Sequence, residues 1–355
     1  MTMNKEEAIG RIEATNQTIQ EGQRFVVDRF RLEDAWGVAR LFHAVYGRDY
    51  PIDTYYIPEK LIEQNRNGNL HTVVARTAGG DIIAHGALYR SSAHYQRIYE
   101  SGLGLTLPSY RNSFVFLSIF RYVMEQLPKE VEVDEIFGEA VCYHVTVQKL
   151  AFFTGTKTIG LEIDLIPAAA YGREGATTDR VTCLLESKPY HDRKQTLYVP
   201  RVYSREMDFI CSDLLFERNR HDSKGLPPPG SKTRLTQQFF DFADVARFNV
   251  VSLGEDFAGV AANMESEARA RGGKVLQFFL NLGEQWVSTG VEILRDEGYF
   301  LGGLLPRWFD SDGLLMQKLI FQPDFSGIRL FTDKAKALLD MIQKDWERTG
   351  EWVNR

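Results

Sequence analysis

Apolar positions along the chain repeat with two periods, one of strands and one of helices. FVVDRF, residues 25–30, alternates as a half-buried strand does. Asp34 then stands where a capping residue opens a helix carrying Val38, Leu41, Phe42 and Val45. PEKLIEQNRNG predicts a second, short helix that stops at Gly68. LHTVVART and DIIAHGALY read as strands split by Gly79-Gly80, a hairpin signal. RIYESGLGLTL makes a fourth strand that runs into Pro108. The helix beyond it places Phe116, Phe120, Val123 and Leu127 on one apolar stripe. EIFGEAV, VTVQKLAFFTG, TIGLEIDLIP and RVTCLLES then predict strand, helix, strand and strand.

The second half repeats a shortened version. TLYVPRVY predicts a strand, REMDFICSDLLFER a helix, and HDSKGLPPPGSK a loop rich in proline and glycine. RLTQQFFDF and ARFNVVSLG make a strand pair, followed by the helix FAGVAANMESEARAR. KVLQFFLNL, whose Phe278, Leu280 and Leu282 form a core stripe, is a strand, and WVSTGVEILRDEG a helix. YFLGGLLP and GLLMQKLIF are the final strands. A shift of 143 residues lays Gly155 on Gly298 and Gly160 on Gly303. In both places a helix stops at glycine and an apolar strand with an internal glycine follows, which reads as a duplicated domain. The expected division is a polar lead-in over 1–23, a first domain over 24–190 and a second over 191–355. The mixed order of elements predicts an α/β fold, a mixed central sheet with helices on both faces.

Length agrees with two domains, since single cores seldom grow past about 250–300 residues and this chain has 355. The net charge of −6 gives no broad footprint for nucleic acid. The polar start MTMNKEEAIG lacks the apolar stretch of a secretory signal, and no apolar run approaches the roughly 18 residues of a membrane span. The three cysteines, Cys142, Cys183 and Cys211, are far apart, so the expectation is a cytoplasmic protein with free thiols. The histidines form no pair at metal-ligand spacing, and neither a phosphate loop nor a nucleophile elbow occurs.

The chemistry-bearing stretch is LGLTLPSYRNSFVF, residues 103–116, where a strand meets Pro108, then Tyr110-Arg111, then a helix. With the element order, this stretch resembles the GCN5-related N-acetyltransferase superfamily, built in tandem. Thr106, Leu107 and Pro108 stand for its V-x-P, and Tyr110 and Arg111 for its aromatic-Arg pair. His144, Gln148 and Lys149 resemble an H-x-x-S-Q-K stretch of a bacterial subgroup, with Val147 in place of Ser. The resemblance implies acyl transfer from acetyl-CoA to an amine, on a small molecule or a peptide, at a V-shaped opening between the fourth and fifth strands. It implies that Arg111, Asn112, Ser113, Phe114 and Val115 hold the pyrophosphate, with Leu105 and Leu107 pairing by backbone to the pantetheine arm. Glu100 is the candidate base, since an ammonium near pKa 10.4 must lose a proton before it attacks. His144 is a candidate for the thiolate's acid and lies beside the cofactor; it reads equally as a half-buried structural histidine.

Departures from the family pattern bear on that chemistry. A phosphate turn uses bare peptide N–H groups at a helix start, yet Phe114 and Phe116 occupy its two glycine positions. Micromolar binding corresponds to about 8 kcal/mol, and each charge-assisted hydrogen bond contributes roughly 1.5–3 kcal/mol, so losing two moves affinity towards millimolar. Ala151 and Leu294 stand at the position of the family's acid tyrosine in the two copies. In the second copy Glu255 and Asp256 replace the phosphate turn, so that domain is expected to bind no coenzyme A and to complete a pseudo-dimer. The expected assembly is a monomer of that kind or a homodimer, with no metal, nucleic acid or membrane partner. The alternative function is a non-catalytic member of the fold that senses a ligand or binds a partner in bacterial regulation.

Overall fold

Strands of five to eleven residues leave backbone donors and acceptors that only neighbouring strands can satisfy. The computed structural model supplies those neighbours in an α/β arrangement, and it describes residues 3–15, 18–168 and 179–353. The chain divides into two units, Met1–Ser91 with Tyr99–Ile136, and Ser92–Ile98 with Phe137–Arg355.

The first unit begins with α1 (Lys5–Ala14), closed by a reciprocal cap between Asn4 and Glu7 and burying Ala8, Ile9 and Ile12. Then come β1 (Phe25–Arg29), α2 (Ala35–Tyr46), α3 (Pro58–Arg66), β2 (Leu70–Thr77), β3 (Ile82–Tyr89), β4 (Ile98–Thr106) and α4 (Val115–Arg121). The strands β1 to β4 pair antiparallel in chain order. Val38, Leu41 and Phe42 of α2 pack on Val74, Ile82, Ala87 and Leu105 of the sheet. On the opposite face, Gly86 lets α4 approach: a Cβ there would stand 2.5 Å from Ile119 Cγ2. Asp34 does not cap α2 as expected. Its carboxylate instead accepts from Arg31 N at 2.7 Å and pairs with Arg76, closing a short 3-10 turn before the helix.

The second unit holds β5 (Glu135–Val141), α5 (Thr146–Phe153), β6 (Lys157–Pro167), β7 (Arg180–Pro189), β8 (Gln195–Val199), α6 (Ser204–Cys211), β9 (Arg218–Asp222) and β10 (Arg234–Phe240). It continues with β11 (Val245–Ser252), α7 (Phe257–Ala270), β12 (Val275–Asn281), α8 (Val287–Asp296), β13 (Phe300–Leu305), β14 (Gly313–Leu319) and α9 (Asp333–Val353). Its main strands lie in the order β5-β7-β6-β13-β14-β12-β11-β10, and β8 and β9 form a separate parallel pair. At the middle of that order Gly160 of β6 lies directly opposite Gly303 of β13 in an antiparallel bridge. A Cβ on Gly160 would stand 2.6 Å from Gly302 O, and one on Gly303 would stand 2.4 Å from Gly160 Cα.

Two elements were not anticipated. Residues 218–222, expected in a helix tail and a loop, form β9 because β8 offers a partner strand. Residues 333–353 form α9, whose Ala335, Leu338 and Ile342 are fully buried.

A buried ionic cluster fastens the segment Ser92–Ile98 to the rest of the second unit. Arg247 Nη1 donates to Ser92 Oγ at 2.6 Å, its Nη2 to Glu139 and Glu162 at 2.9 Å each, and its Nε to Gln277 at 2.8 Å. Asn249 Nδ2 donates to Ser92 O at 2.9 Å, and Tyr95 N to Trp308 O at 2.9 Å. Breaking such a pair strands a buried charge.

Gly160→Ala is expected to destabilise the protein by about 1–3 kcal/mol, since backbone rather than a flexible side chain must move. Gly259→Ala on exposed α7, where a Cβ meets nothing within 4 Å, is expected to stabilise by about 0.5–1 kcal/mol. Urea denaturation of both variants checks the contrast.

Candidate functional site

The site is built on an irregularity in β4. Opposite β3, His85 pairs with Leu105 and Ala87 with Gly102, so Leu103 and Gly104 together oppose Gly86. The extra residue makes a β-bulge. Leu103 takes a left-handed φ of 56°, which for a branched residue persists only where its surroundings hold it. Here His85 holds it: its Nδ1–H donates to Leu103 O at 2.8 Å. A carbonyl only accepts, so that nitrogen carries the hydrogen and Nε2 is a bare acceptor, buried without a hydrogen-bond partner. Burial drives the His85 pKa down to about 4, against the smaller opposing pull of the Leu103 carbonyl, so the ring is neutral near pH 7.

Glu100 lies before the bulge, opposite Tyr89 of β3. It is 8% exposed, and the Tyr89 phenol donates to its Oε1. Leu105 is buried and Leu107 half-buried; Leu107 N donates to Ile83 O at 2.8 Å, which continues the ladder beyond β4.

The turn after Pro108 is organised from within. Tyr110 is buried, and its phenol ties down the N-terminal segment by donating to Gln20 O at 2.7 Å. Arg111 N donates to Pro108 O at 3.3 Å, and Ser113 N to Tyr110 O at 3.1 Å. The Ser113 hydroxyl also donates to Tyr110 O, at 2.6 Å, and accepts from Val115 N at 3.3 Å. Several of the turn's donors are therefore engaged inside the protein. The side chains of Arg111 and Asn112 are exposed. Phe114 is 80% exposed and so does not fill the turn. Phe116 lies against β4: a Cβ on Gly104 would stand 2.8 Å from its ring.

Thus Glu100, Leu105, Leu107 and the run from Arg111 to Val115 all belong to the first unit, whereas His144 belongs to the second. His144 Nδ1 accepts from Thr146 N at 3.3 Å at the start of α5, and its ring meets Tyr143 edge-on at 4.5 Å. Gln148 is buried and structural: its amide donates to Arg329 O at 2.9 Å and accepts from Phe331 N at 3.0 Å. Ala151 and Leu294 are buried core residues. His85, which sequence alone did not single out, carries no motif; only its strand partner across the bulge reveals it.

The turn after β11 in the second unit is occupied by its own chain. Glu255 N donates to Ser231 O at 3.1 Å, and Gly254 N to Thr233 Oγ1 at 3.0 Å. Glu255 and Asp256 accept from Gly230 N and Thr233 N, both at 2.8 Å. Before that turn, β11 and β12 pair in parallel without interruption from Val245↔Val275 to Val250↔Leu280. Among the described residues no group of three or more metal-ligating side chains occurs, and no helix is long and apolar enough to cross a membrane.

No protein-family model and no curated protein matches the sequence. Among solved structures, the chain is similar to the ribosomal-protein-S5-alanine acetyltransferase of Vibrio fischeri, at 13% identity over 49% of this chain and 97% of that one, with a TM-score of 0.38. It is similar to a GNAT-family acetyltransferase of Staphylococcus aureus Mu50, at 12% identity over 47% and 99% of the two chains, TM-score 0.34. It is also similar to an aminoglycoside 6'-N-acetyltransferase complexed with coenzyme A, at 14% identity over 47% and 98%, TM-score 0.33.

A depressed histidine pKa makes stability depend on pH in acid. An unfolded histidine titrates near 6.5 and folded His85 near 4, so between those values the unfolded chain binds the extra proton. Stability is therefore full above pH 6.5 and falls as pH drops towards 4. His71, whose pKa burial also lowers to about 4, adds to the same slope. In His85→Gln the melting temperature is expected to fall less steeply across that window, and in a variant also carrying His71→Gln less steeply still.

Proposed function

We propose that the chain is an acyl-CoA-dependent N-acyltransferase made of two tandem domains, 24–190 and 191–355, with its chemistry in the first. The observation that carries this reading is the β4 bulge, which puts one backbone residue out of the ladder between Glu100 and the Pro108–Phe114 turn. Arg111 and Asn112 would meet the pyrophosphate, with Ser113, Phe114 and Val115 shaping the turn, and Leu105 and Leu107 would line the pantetheine arm. Coenzyme A supplies the activated acyl group as a thioester. Glu100, shielded from water, would take the proton of the incoming ammonium; the freed amine bonds to the acyl carbon and the thiolate leaves. The departing thiolate takes up the amine's remaining proton.

The duplication is supported by strand order. About the Gly160–Gly303 bridge, β6, β7 and β5 on one side match β13, β14 and β12 on the other, and the two glycines are the pair that the 143-residue shift aligns. The filled turn and unbroken β11–β12 pairing support a second domain that binds no coenzyme A.

A non-catalytic, ligand-sensing or partner-binding role is the second reading, favoured by the engaged donors of the first turn and by Ala151, buried where the acid tyrosine would stand. Calorimetric titration with acetyl-CoA separates the two. The transferase reading expects a Kd on the order of 1 mM, because several turn donors are engaged elsewhere. It expects Arg111→Glu to weaken that binding at least about tenfold, the value of one charge-assisted hydrogen bond. Absence of heat and of any thermal shift at several-fold higher ligand leaves only the second role.

A further inference from the structure

In the second unit, three segments distant in sequence close around a cavity of about 280 Å³ that acyl transfer in the first unit does not use. The residues just after β8 supply Arg201 and Val202, and the loop after β9 supplies Lys224 and Leu226. The start of α8 supplies Ser288, Thr289 and Glu292. Hydrogen bonds fix these walls to one another. The Ser223 hydroxyl donates to Gln285 O at 2.8 Å and accepts from Ser288 N at 2.9 Å, and Ser223 N donates to Val199 O at 2.9 Å. Lys224 N donates to Gln285 O at 2.8 Å, and the Thr289 hydroxyl to Gly225 O at 3.3 Å. The cavity is therefore a built feature rather than a gap between loose loops.

Its charges are open. Arg201, Lys224 and Glu292 are exposed, and no side-chain hydrogen bond or ion pair joins any of them to another described residue. Elsewhere in the unit Arg218, Arg247, Arg295 and Lys318 are all held in ion pairs. Val202 and Leu226, which line the same cavity, stand 45% and 78% exposed. The terminus of α8 is not what makes the site, because its first amides are engaged. Val287 N donates to Glu284 O at 3.2 Å, Ser288 N to Ser223 Oγ, and Thr289 N to Trp286 O at 3.0 Å. Glu292 lies one turn beyond Ser288, on the same face of the helix.

We infer that this cavity, built wholly from the second unit, binds a free α-amino acid with an apolar side chain. The inference is independent of the acyl-transfer reading. Arg201 and Lys224 offer donors to the carboxylate, Glu292 accepts from the ammonium, and Val202 and Leu226 cover the side chain. Simpler ions fit less well: an inorganic anion meets the Glu292 charge, and a plain ammonium meets two cations. Size agrees. Ligand pockets run to about 300–1,000 Å³, so a cavity at the small end suits an amino acid rather than a nucleotide.

The test titrates the full chain with L-leucine, followed by saturation-transfer NMR. Beside it run 4-methylpentanoate, which lacks the ammonium, and 3-methylbutylammonium, which lacks the carboxylate. Exposed charge pairs are individually weak, so a Kd on the order of 1 mM is expected for leucine. Each analogue is expected to bind at least about threefold more weakly. Arg201→Gln combined with Lys224→Gln is expected to raise the leucine Kd about fivefold or more. Glu292→Gln is expected to abolish the preference for leucine over 4-methylpentanoate. All three side chains are exposed, so these variants keep the parent melting temperature within a few degrees. No binding of leucine, equal binding of either analogue, or leucine binding that these variants leave unchanged each overturns the inference.

Discussion

Two backbones touch in the second unit where no side chain can stand between them. The Gly160–Gly303 bridge brings β6 and β13 within the reach of a single missing Cβ. Everything to either side is ordered by that contact: β7 and β5 spread outward from one strand, β14 and β12 from the other. A side chain at either glycine would force the strands apart at the centre of the order, where displacement disturbs the most neighbours. This is why an internal glycine, ordinarily a weakness in a strand, is in place in both.

The first unit is governed by a smaller irregularity. A left-handed Leu103 costs about 1–3 kcal/mol in isolation, and the cost is met by a buried, neutral His85 whose one N–H is committed to Leu103 O. The bulge that results interrupts the strand between Glu100 and Leu105, so a buried carboxylate and the turn after Pro108 are served by one distorted strand. Burial then does the electrostatic work, keeping His85 uncharged near neutral pH. In the second unit the turn after β11 is put to a structural end. There Glu255 and Asp256 bind the amides of their own loop.

Much of this was legible along the chain. Alternation over residues 25–30, apolar runs in β3, β6 and β12, and helical spacing in α2 are local properties of the sequence. The glycine pair at a 143-residue interval was visible as well, as was the strand meeting Pro108. What escaped depends on partners distant in sequence. RNRHD is too charged to read as a strand until β8 lies beside it. The α9 stripe of Ala335, Leu338 and Ile342 carries helical spacing, and all three are buried.

The candidate site divides in the same way. Residue types at Glu100, Arg111 and Phe114 follow from the sequence, because chemistry is a property of the side chain. Whether Phe114 blocks the turn does not: it stands 80% exposed because α4 begins just after it, with Phe116 rather than Phe114 against the sheet. Whether the turn's N–H groups are free is equally invisible, since Ser113 N donates to Tyr110 O and Val115 N donates to Ser113 Oγ. His85 meets Leu103 across a bulge from a separate strand, 18 residues away in sequence. Sequence alone determined periods, turns and chemical types, which are local. Tertiary structure alone decided which polar groups are satisfied and which are left open, because satisfaction depends on what the folded chain brings alongside.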